Sequence, residues 1–304
     1  MRFGILLTFI LLLMGCGQQE ATETVREPSK PEALPVVQSP EPKKEEIPYR
    51  VWYRDQVLIL NYHHIAEDFD SPHTIKPNEF REHIEFLKNH HFHPLKLEEF
   101  HEFLDTGLLN QENAVLLTFD DGYESAYSKA FPVLEEYQFP ATVFVIYENL
   151  RDTVERKREG KISPLSFVQL EQMKRSGLIS FQSHTYGLHF VEDDRPATSP
   201  EVKQGDQAYR SKVFVDFMMG RKALEDLVRE PVLAISYPYG YYNDRMIKVS
   251  KQAGYQLGFA GGRGLVNAKT NPFKIPKNNM GERGMDIFQF EQEIKAIIHE
   301  SKGK

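Results

Sequence analysis

Six short runs with apolar residues on consecutive positions, separated by longer segments of helical spacing, constrain this chain more than any other feature. The runs are 56–62 (QVLILNY), 114–119 (AVLLTF), 141–146 (ATVFVI), 178–182 (LISFQ), 233–237 (LAISY) and 256–260 (QLGFA). A strand with one face in water alternates apolar and polar residues, whereas these runs need cover on both faces. Segments 77–90, 97–104, 124–137, 164–175, 212–229 and 243–253 have the spacing to supply it, and a last amphipathic helix is expected over 286–299. Ser163 ahead of Pro164 reads as an N-cap and first-turn proline, and Gly177 and Gly254 stand just past two helix ends. Strands alternating with helices specify an α/β domain around a mainly parallel sheet, open or closed into a barrel.

One such domain accounts for residues 51–304, and 40% hydrophobic content suffices for its core. The chain before it differs in kind. Arg2 and the apolar run 5–14 have the layout of an export signal and are too short to span a bilayer. The segment ends in Leu13, Met14, Gly15 and Cys16, and Cys16 is the only cysteine in the chain. This ending resembles the bacterial lipobox, whose cysteine is acylated, so the mature protein is expected at the extracytoplasmic face of the cell membrane, held by an N-terminal lipid anchor. Residues 17–50 are rich in Glu, Pro, Lys, Thr and Gln, a composition that cannot bury enough surface to order itself and reads as a tether. A net charge of -7 provides no basic patch, which argues against a nucleic-acid partner.

Four polar clusters follow directly on the apolar runs. In Leu117 to Gly122 (LTFDDG) the run stops at two adjacent carboxylates, which point in different directions and suit different tasks, one on a cation and one on a proton. By itself a DDG turn more often caps a following helix, here one starting near Glu124. In SHTYGLH, His184 and His189 are five positions apart, about 140° around a regular helix, so they converge only from a curved loop, for which Gly187 offers the freedom. Two imidazoles and a carboxylate form a common ligand set for a catalytic divalent cation. In SYPYG, Pro238 and Gly240 fix a turn that could aim a backbone N–H into a pocket, and in LNYHHI either His63 or His64 could act as a general acid. All four lie beyond the C-terminal ends of strands, the edge on which parallel α/β domains build active sites.

LTFDDG, SHTYGLH and SYPYG, in this order, resemble the first three signature motifs of NodB-type polysaccharide deacetylases, carbohydrate esterase family 4, over about residues 55–280. LNYHHI upstream of LTFDDG, and the wider spacing of His184 and His189, are similar to the circularly permuted branch that contains the poly-β-1,6-N-acetylglucosamine deacetylases. The resemblance implies a distorted (β/α)7 barrel. It also implies a divalent cation, zinc, cobalt, nickel, iron or manganese, on Asp121, His184 and His189, with Asp120 as general base, His63 as general acid, and the backbone N–H of Tyr239 facing the oxyanion. The implied partner is an extracellular N-acetylated polysaccharide, with Pro238, Gly240 and Tyr186 at the substrate and Tyr241, Tyr242, Phe259 and Met280 as further candidates for the groove. Two departures stand out: Ser236 occupies the place of an arginine that braces the base, and Trp52, the only tryptophan, lies far from the place of a fourth-motif tryptophan.

Other readings remain beside this one. Peptidoglycan or chitooligosaccharide could replace the expected glycan, since motif and fold specify a reaction better than a polymer. A lipoprotein that captures metal or sugar without chemistry would draw on His83, His90, His91, His93 and His101, although a solvated helix face and loop is the simpler account of those histidines.

Overall fold

The computed structural model describes residues 47–68, 71–151, 161–192, 194–199 and 206–302; the expected signal, Cys16 and the tether as far as residue 46 lie outside them. Seven strands form the central layer: β1 (Gln56–Tyr62), β2 (Ala114–Phe119), β3 (Ala141–Val145), β4 (Ile179–Ser183), β5 (Ala234–Ser236), β6 (Leu257–Gly261) and β7 (Ile275–Asn279). Each pairs in parallel with the next in chain order, and β7 returns to pair in parallel with β1, so the sheet closes into a barrel. Two short strands extend the sheet at its margins, Leu265–Asn267 antiparallel on β1 and His93–Pro94 parallel on β2.

Around the barrel lie α1 (Pro77–Asn89), α2 (Leu97–Thr106), α3 (Phe131–Tyr137), α4 (Tyr147–Arg151), α5 (Phe167–Arg175), α6 (Asp206–Val228), α7 (Asp244–Gln252) and α8 (Ile287–Lys302). Among the described residues no helix is long and apolar enough to cross a membrane.

Period-two alternation along the strands explains both the packing and the site. One set of side chains, including Leu58, Leu60, Tyr62, Val115, Leu117, Val143, Val145, Phe181 and Ile235, belongs to the large core formed with the helices. The other set fills the barrel. Its lower members, Val57, Ile59, Ala114, Leu116, Phe144, Ala234, Leu257, Phe259 and Ile275, form a second core that α2 closes with Leu97, Phe100 and Phe103. Continuing upward on the same face, the side chains become polar: Asn61 on β1, Thr118 on β2, Ser236 on β5 and Lys277 on β7, all buried. The change of character along the inner face leaves a dry floor under a polar upper end.

Several details differ from the sequence expectation. No run marks β7 (IPKNN), because its inward positions Lys277 and Asn279 are polar and Pro276 removes a ladder donor. The expected helix over 124–137 is a π-turn at Ala126–Ala130 followed by α3, with Pro132 near the junction. Ser166, not Ser163, caps α5: its side chain accepts from Gln169 N, while Pro164 lies outside the helix and bridges to Tyr123. His83 is not on a solvated face. It stacks on Phe290 at 3.8 Å between ring centroids, its Nε2 lies 2.9 Å from the Met285 carbonyl, and burial pushes its pKa down to about 3.

Phe259 occupies the inner core with no exposed surface. Phe259→Ala is expected to cost about 3–5 kcal/mol of stability, read from the denaturant midpoint, and an unchanged midpoint would contradict the two-layer core.

Candidate active site

The upper ends of four strands bring the polar clusters together. Asp121 follows β2 with φ 69°, a left-handed conformation that turns its carboxylate away from that of Asp120. His184 follows β4 and His189 comes from the loop beyond it. The sharp turn between them is made by Thr185 at φ 96°, an uncommon conformation for a β-branched residue, and not by Gly187.

His184 Nε2 lies 3.5 Å and His189 Nε2 3.4 Å from Asp121 Oδ1, and one ligand atom from each residue lies within 4.8 Å of the others. Tetrahedral ligands at about 2.0–2.2 Å from a cation stand about 3.4 Å apart, so this spacing fits one ion among the three. Two further observations agree. Asp121 Oδ1 is buried without a hydrogen-bond partner in the described structure. His184 Nδ1 donates to the Ser236 carbonyl at 2.7 Å, which leaves the Nε2 lone pair directed to the cluster. Burial first, and His184 second, lower the His189 pKa to about 4, so the His189 imidazole is neutral at neutral pH, the form in which it could ligate a cation. Burial opposes ionisation of Asp121, but the two imidazoles outweigh it and hold the carboxyl below its ordinary range.

Asp120 occupies a different environment. Its Oδ2 accepts from Lys277 Nζ and, at 3.3 Å, from Asn61 Nδ2, while its Oδ1 is buried with no partner in the described structure. Lys277 also donates to Ser236 Oγ at 2.7 Å and stands 5.2 Å above the Phe144 ring. A cation is therefore supplied from β7 to the carboxylate for which Ser236 offers none. Burial pushes Asp120 upward, yet Lys277, with His184 and His63 behind it, brings its pKa down to about 2. Neither composition nor spacing singles out Lys277; the only sequence signal is a lysine in a short strand that no apolar run announces.

A cavity of 370 Å³ connects these groups, with Asp120, Asp121, His63, His184, His189, Tyr239 and Gly240 among its lining. His63 Nε2 lies 3.8 Å from Asp120 Oδ2 and its ring stacks on His73 at 4.9 Å, whereas His64 turns to Ser125 Oγ at 2.9 Å. Of the two histidines, His63 faces the cavity. Tyr239 has φ 58° and stacks on His189 at 4.7 Å. Gly240 is required beside it, because a Cβ there would sit 2.5 Å from the Gly261 nitrogen. Other candidates fall outside the cavity. Pro238 is buried; Tyr186 stacks on Tyr147 and its hydroxyl accepts from Arg151; Phe259 and Met280 are core residues. Trp52 is buried against Phe86, Phe92 and His90 and is not among the residues that line the cavity.

The folded pKa of Asp120 is below its unfolded value, so its pairing contributes stability above about pH 4 that is lost as the pH falls towards 2. Lys277→Met leaves burial unopposed by the ammonium and is expected to raise the Asp120 pKa to or above the ordinary carboxylate value of about 3.9. A carbon-13 titration of the carboxyl group measures this, and a pKa still near 2 would refute the role given to Lys277.

The polysaccharide deacetylase family profile matches residues 109–258. A poly-beta-1,6-N-acetyl-D-glucosamine N-deacetylase of Staphylococcus epidermidis is 30% identical over 238 residues, covering 74% of this chain and 78% of the relative. An enzyme of the same description from Staphylococcus aureus is 27% identical over 248 residues, covering 77% and 82%. In fold, the chain is similar to a de-N-acetylase from Aggregatibacter actinomycetemcomitans, with a TM-score of 0.69 and 24% identity over 78% of this chain and 99% of that one. It is also similar to IcaB from Ammonifex degensii, with a TM-score of 0.65 and 23% identity over 81% and 97%. Profile, relatives and barrel agree: the chain belongs to the polysaccharide deacetylase family, hydrolases that act on amide bonds.

Proposed function

We propose that this protein is an exported, lipid-anchored, metal-dependent N-deacetylase that hydrolyses acetamide groups of N-acetylglucosamine residues in an extracellular glycan of the poly-β-1,6-N-acetylglucosamine type. One observation supports the chemistry above all: a cation-ligand cluster and a separately braced carboxylate with one unpartnered oxygen open on the same cavity. The 30% identical relative, whose description names that glycan, supports the substrate class.

Asp121, His184 and His189 would hold the cation. A divalent ion there supplies Lewis acidity, which makes a water more acidic and an acetamide carbonyl more electrophilic. Asp120 is the general base. Its Oδ2 is occupied by Lys277 and Asn61, so Oδ1 receives the proton of the attacking water, and the low pKa keeps this oxygen ionised at all but strongly acid pH. The Tyr239 backbone N–H is the donor assigned to the developing oxyanion, and the position of Tyr239 on the cavity supports that role. His63 gives a proton to the departing sugar nitrogen, and glucosamine and acetate result. Burial lowers the His63 pKa, and the neighbouring Asp120 and Asp121 carboxylates oppose that shift and favour the protonated form that the role requires.

The Leu13, Met14, Gly15, Cys16 segment supports acylation at Cys16 and a place at the extracytoplasmic face of the membrane, with the Pro- and Glu-rich stretch as tether. Cys16→Ala is expected to abolish incorporation of a palmitate analogue and to move the protein out of the membrane fraction; unchanged labelling would reject the anchor.

The purified protein with a divalent cation is expected to release acetate from poly-β-1,6-N-acetylglucosamine faster than from chitooligosaccharide or peptidoglycan. Asp120→Asn should abolish release while cation uptake, measured by calorimetry, persists. Uptake of cation by the unaltered protein without acetate from any N-acetylated glycan would favour a capture protein.

A further inference from the structure

The loop between His184 and His189 is held from outside the barrel. Three consecutive amides in it converge on one partly buried carboxylate of helix α6: Asp216 Oδ1 accepts from Tyr186 N at 3.1 Å, and its Oδ2 accepts from Gly187 N at 2.8 Å and Leu188 N at 3.0 Å. One helical turn further along α6, Gly220 is pressed against the same loop. A Cβ at this position would stand 2.7 Å from Tyr186 N, 2.9 Å from the Thr185 carbonyl carbon and 3.1 Å from Ser183 Oγ. Glycine inside a helix costs about 1 kcal/mol relative to alanine, and here it permits the helix backbone to touch the loop. On the opposite side the start of α4 closes the clasp, with Tyr147 N donating to the Thr185 carbonyl and Glu148 N to the Tyr186 carbonyl.

The segment so clasped needs holding. Thr185 adopts φ 96°, a conformation that costs a β-branched residue free energy and persists only when its surroundings over-determine it. A relaxed loop would retain His184, which is fixed separately by the Ser236 carbonyl, but would release His189. Charge-assisted bonds from three amides to one carboxylate are among the stronger constraints available to a loop.

We propose that Asp216 and Gly220 of α6 form a positioning device for cation binding: by fixing the 185–188 turn they set His189 opposite His184 and Asp121 without touching the cation or the glycan. This rests on the reading above, in which these three residues hold a divalent ion. Two consequences follow from the geometry. Loss of the Asp216 carboxylate weakens cation affinity more than it impairs folding, and cation in excess restores turnover, because no reacting group has been removed. Gly220→Ala acts in the same direction through an independent contact, by displacing Tyr186 and Thr185.

The test uses the full chain with Asp216→Ala, Asp216→Asn and Gly220→Ala. Zn²⁺ affinity is measured without substrate, by competition with a chromogenic chelator, and the thermal midpoint of the cation-free protein is measured beside it. Co²⁺ substitution supplies an absorption spectrum that reports ligand geometry. Asp216→Ala is expected to bind Zn²⁺ about 10- to 100-fold more weakly, with a changed Co²⁺ spectrum and with kcat recovering at saturating cation. Asp216→Asn, which keeps one acceptor oxygen, should fall between it and the unaltered protein. Wild-type affinity and an unaltered Co²⁺ spectrum in folded Asp216→Asn and Gly220→Ala overturn the proposal, even if Asp216→Ala fails to fold. Failure of the unaltered protein to bind Zn²⁺ or Co²⁺ would instead overturn the cation reading on which it rests.

Discussion

The ion pair between Asp120 and Lys277 is the contact on which the upper half of the barrel depends. A small closed barrel is filled by its own side chains and leaves little room for solvent, so a charge directed inward must find its partner on another strand. Closure of β7 onto β1 places Lys277 within reach of Asp120, and Asn61, Thr118 and Ser236 complete the polar layer: Thr118 Oγ1 donates to Asn61 Oδ1 at 2.8 Å, and Asn61 in turn reaches Asp120. Removing one member of such a pair costs about 3–5 kcal/mol, because the other remains buried and unpaired. The pair thus links the stability of the closed barrel to the electrostatics of the Asp120 carboxylate.

Above this layer the backbone is repeatedly driven out of its ordinary conformations. Asp121, Thr185 and Tyr239 are non-glycine residues with positive φ, and each directly precedes, follows or stacks on a group at the cavity. Strain of this kind is stable only where neighbouring contacts over-determine it. The protein provides such contacts with groups beside the cavity, among them the Ser236 backbone carbonyl, which orients His184, and the Asp216 carboxylate, which gathers the loop before His189. The reactive groups are therefore few, and much of the surrounding polarity serves to aim them.

The distribution of polar residues along the strands also explains how one face supplies both stability and chemistry. Lower inward positions carry Val57, Ile59, Leu116 and Phe144, while Asn61, Thr118 and Lys277 occupy the positions nearest the open end. Phe144 marks the transition, since its ring supports the Lys277 ammonium from below. A dry floor strengthens each interaction above it by keeping the local dielectric low.

What the sequence alone determined follows from local regularities. Apolar runs revealed six of the seven barrel strands, because strands covered on both faces announce themselves in composition. LTFDDG, SHTYGLH, SYPYG and LNYHHI located Asp120, Asp121, His184, His189, Tyr239 and His63, because strand ends are where a parallel barrel can place polar groups. The strand pattern left the open sheet and the barrel as alternatives, and LNYHHI left His63 and His64; the family motifs implied the barrel and His63, the sheet is indeed closed, and His63 rather than His64 lines the cavity. Tertiary structure alone supplied β7, whose IPKNN has no apolar pattern to reveal it, and brought Lys277 to Asp120 and Asp216 to the loop at 186–188. These pairings join residues 157 and about 30 positions apart, and no local propensity encodes a partner at that distance. Only packing, which decides what lies next to what, can do so.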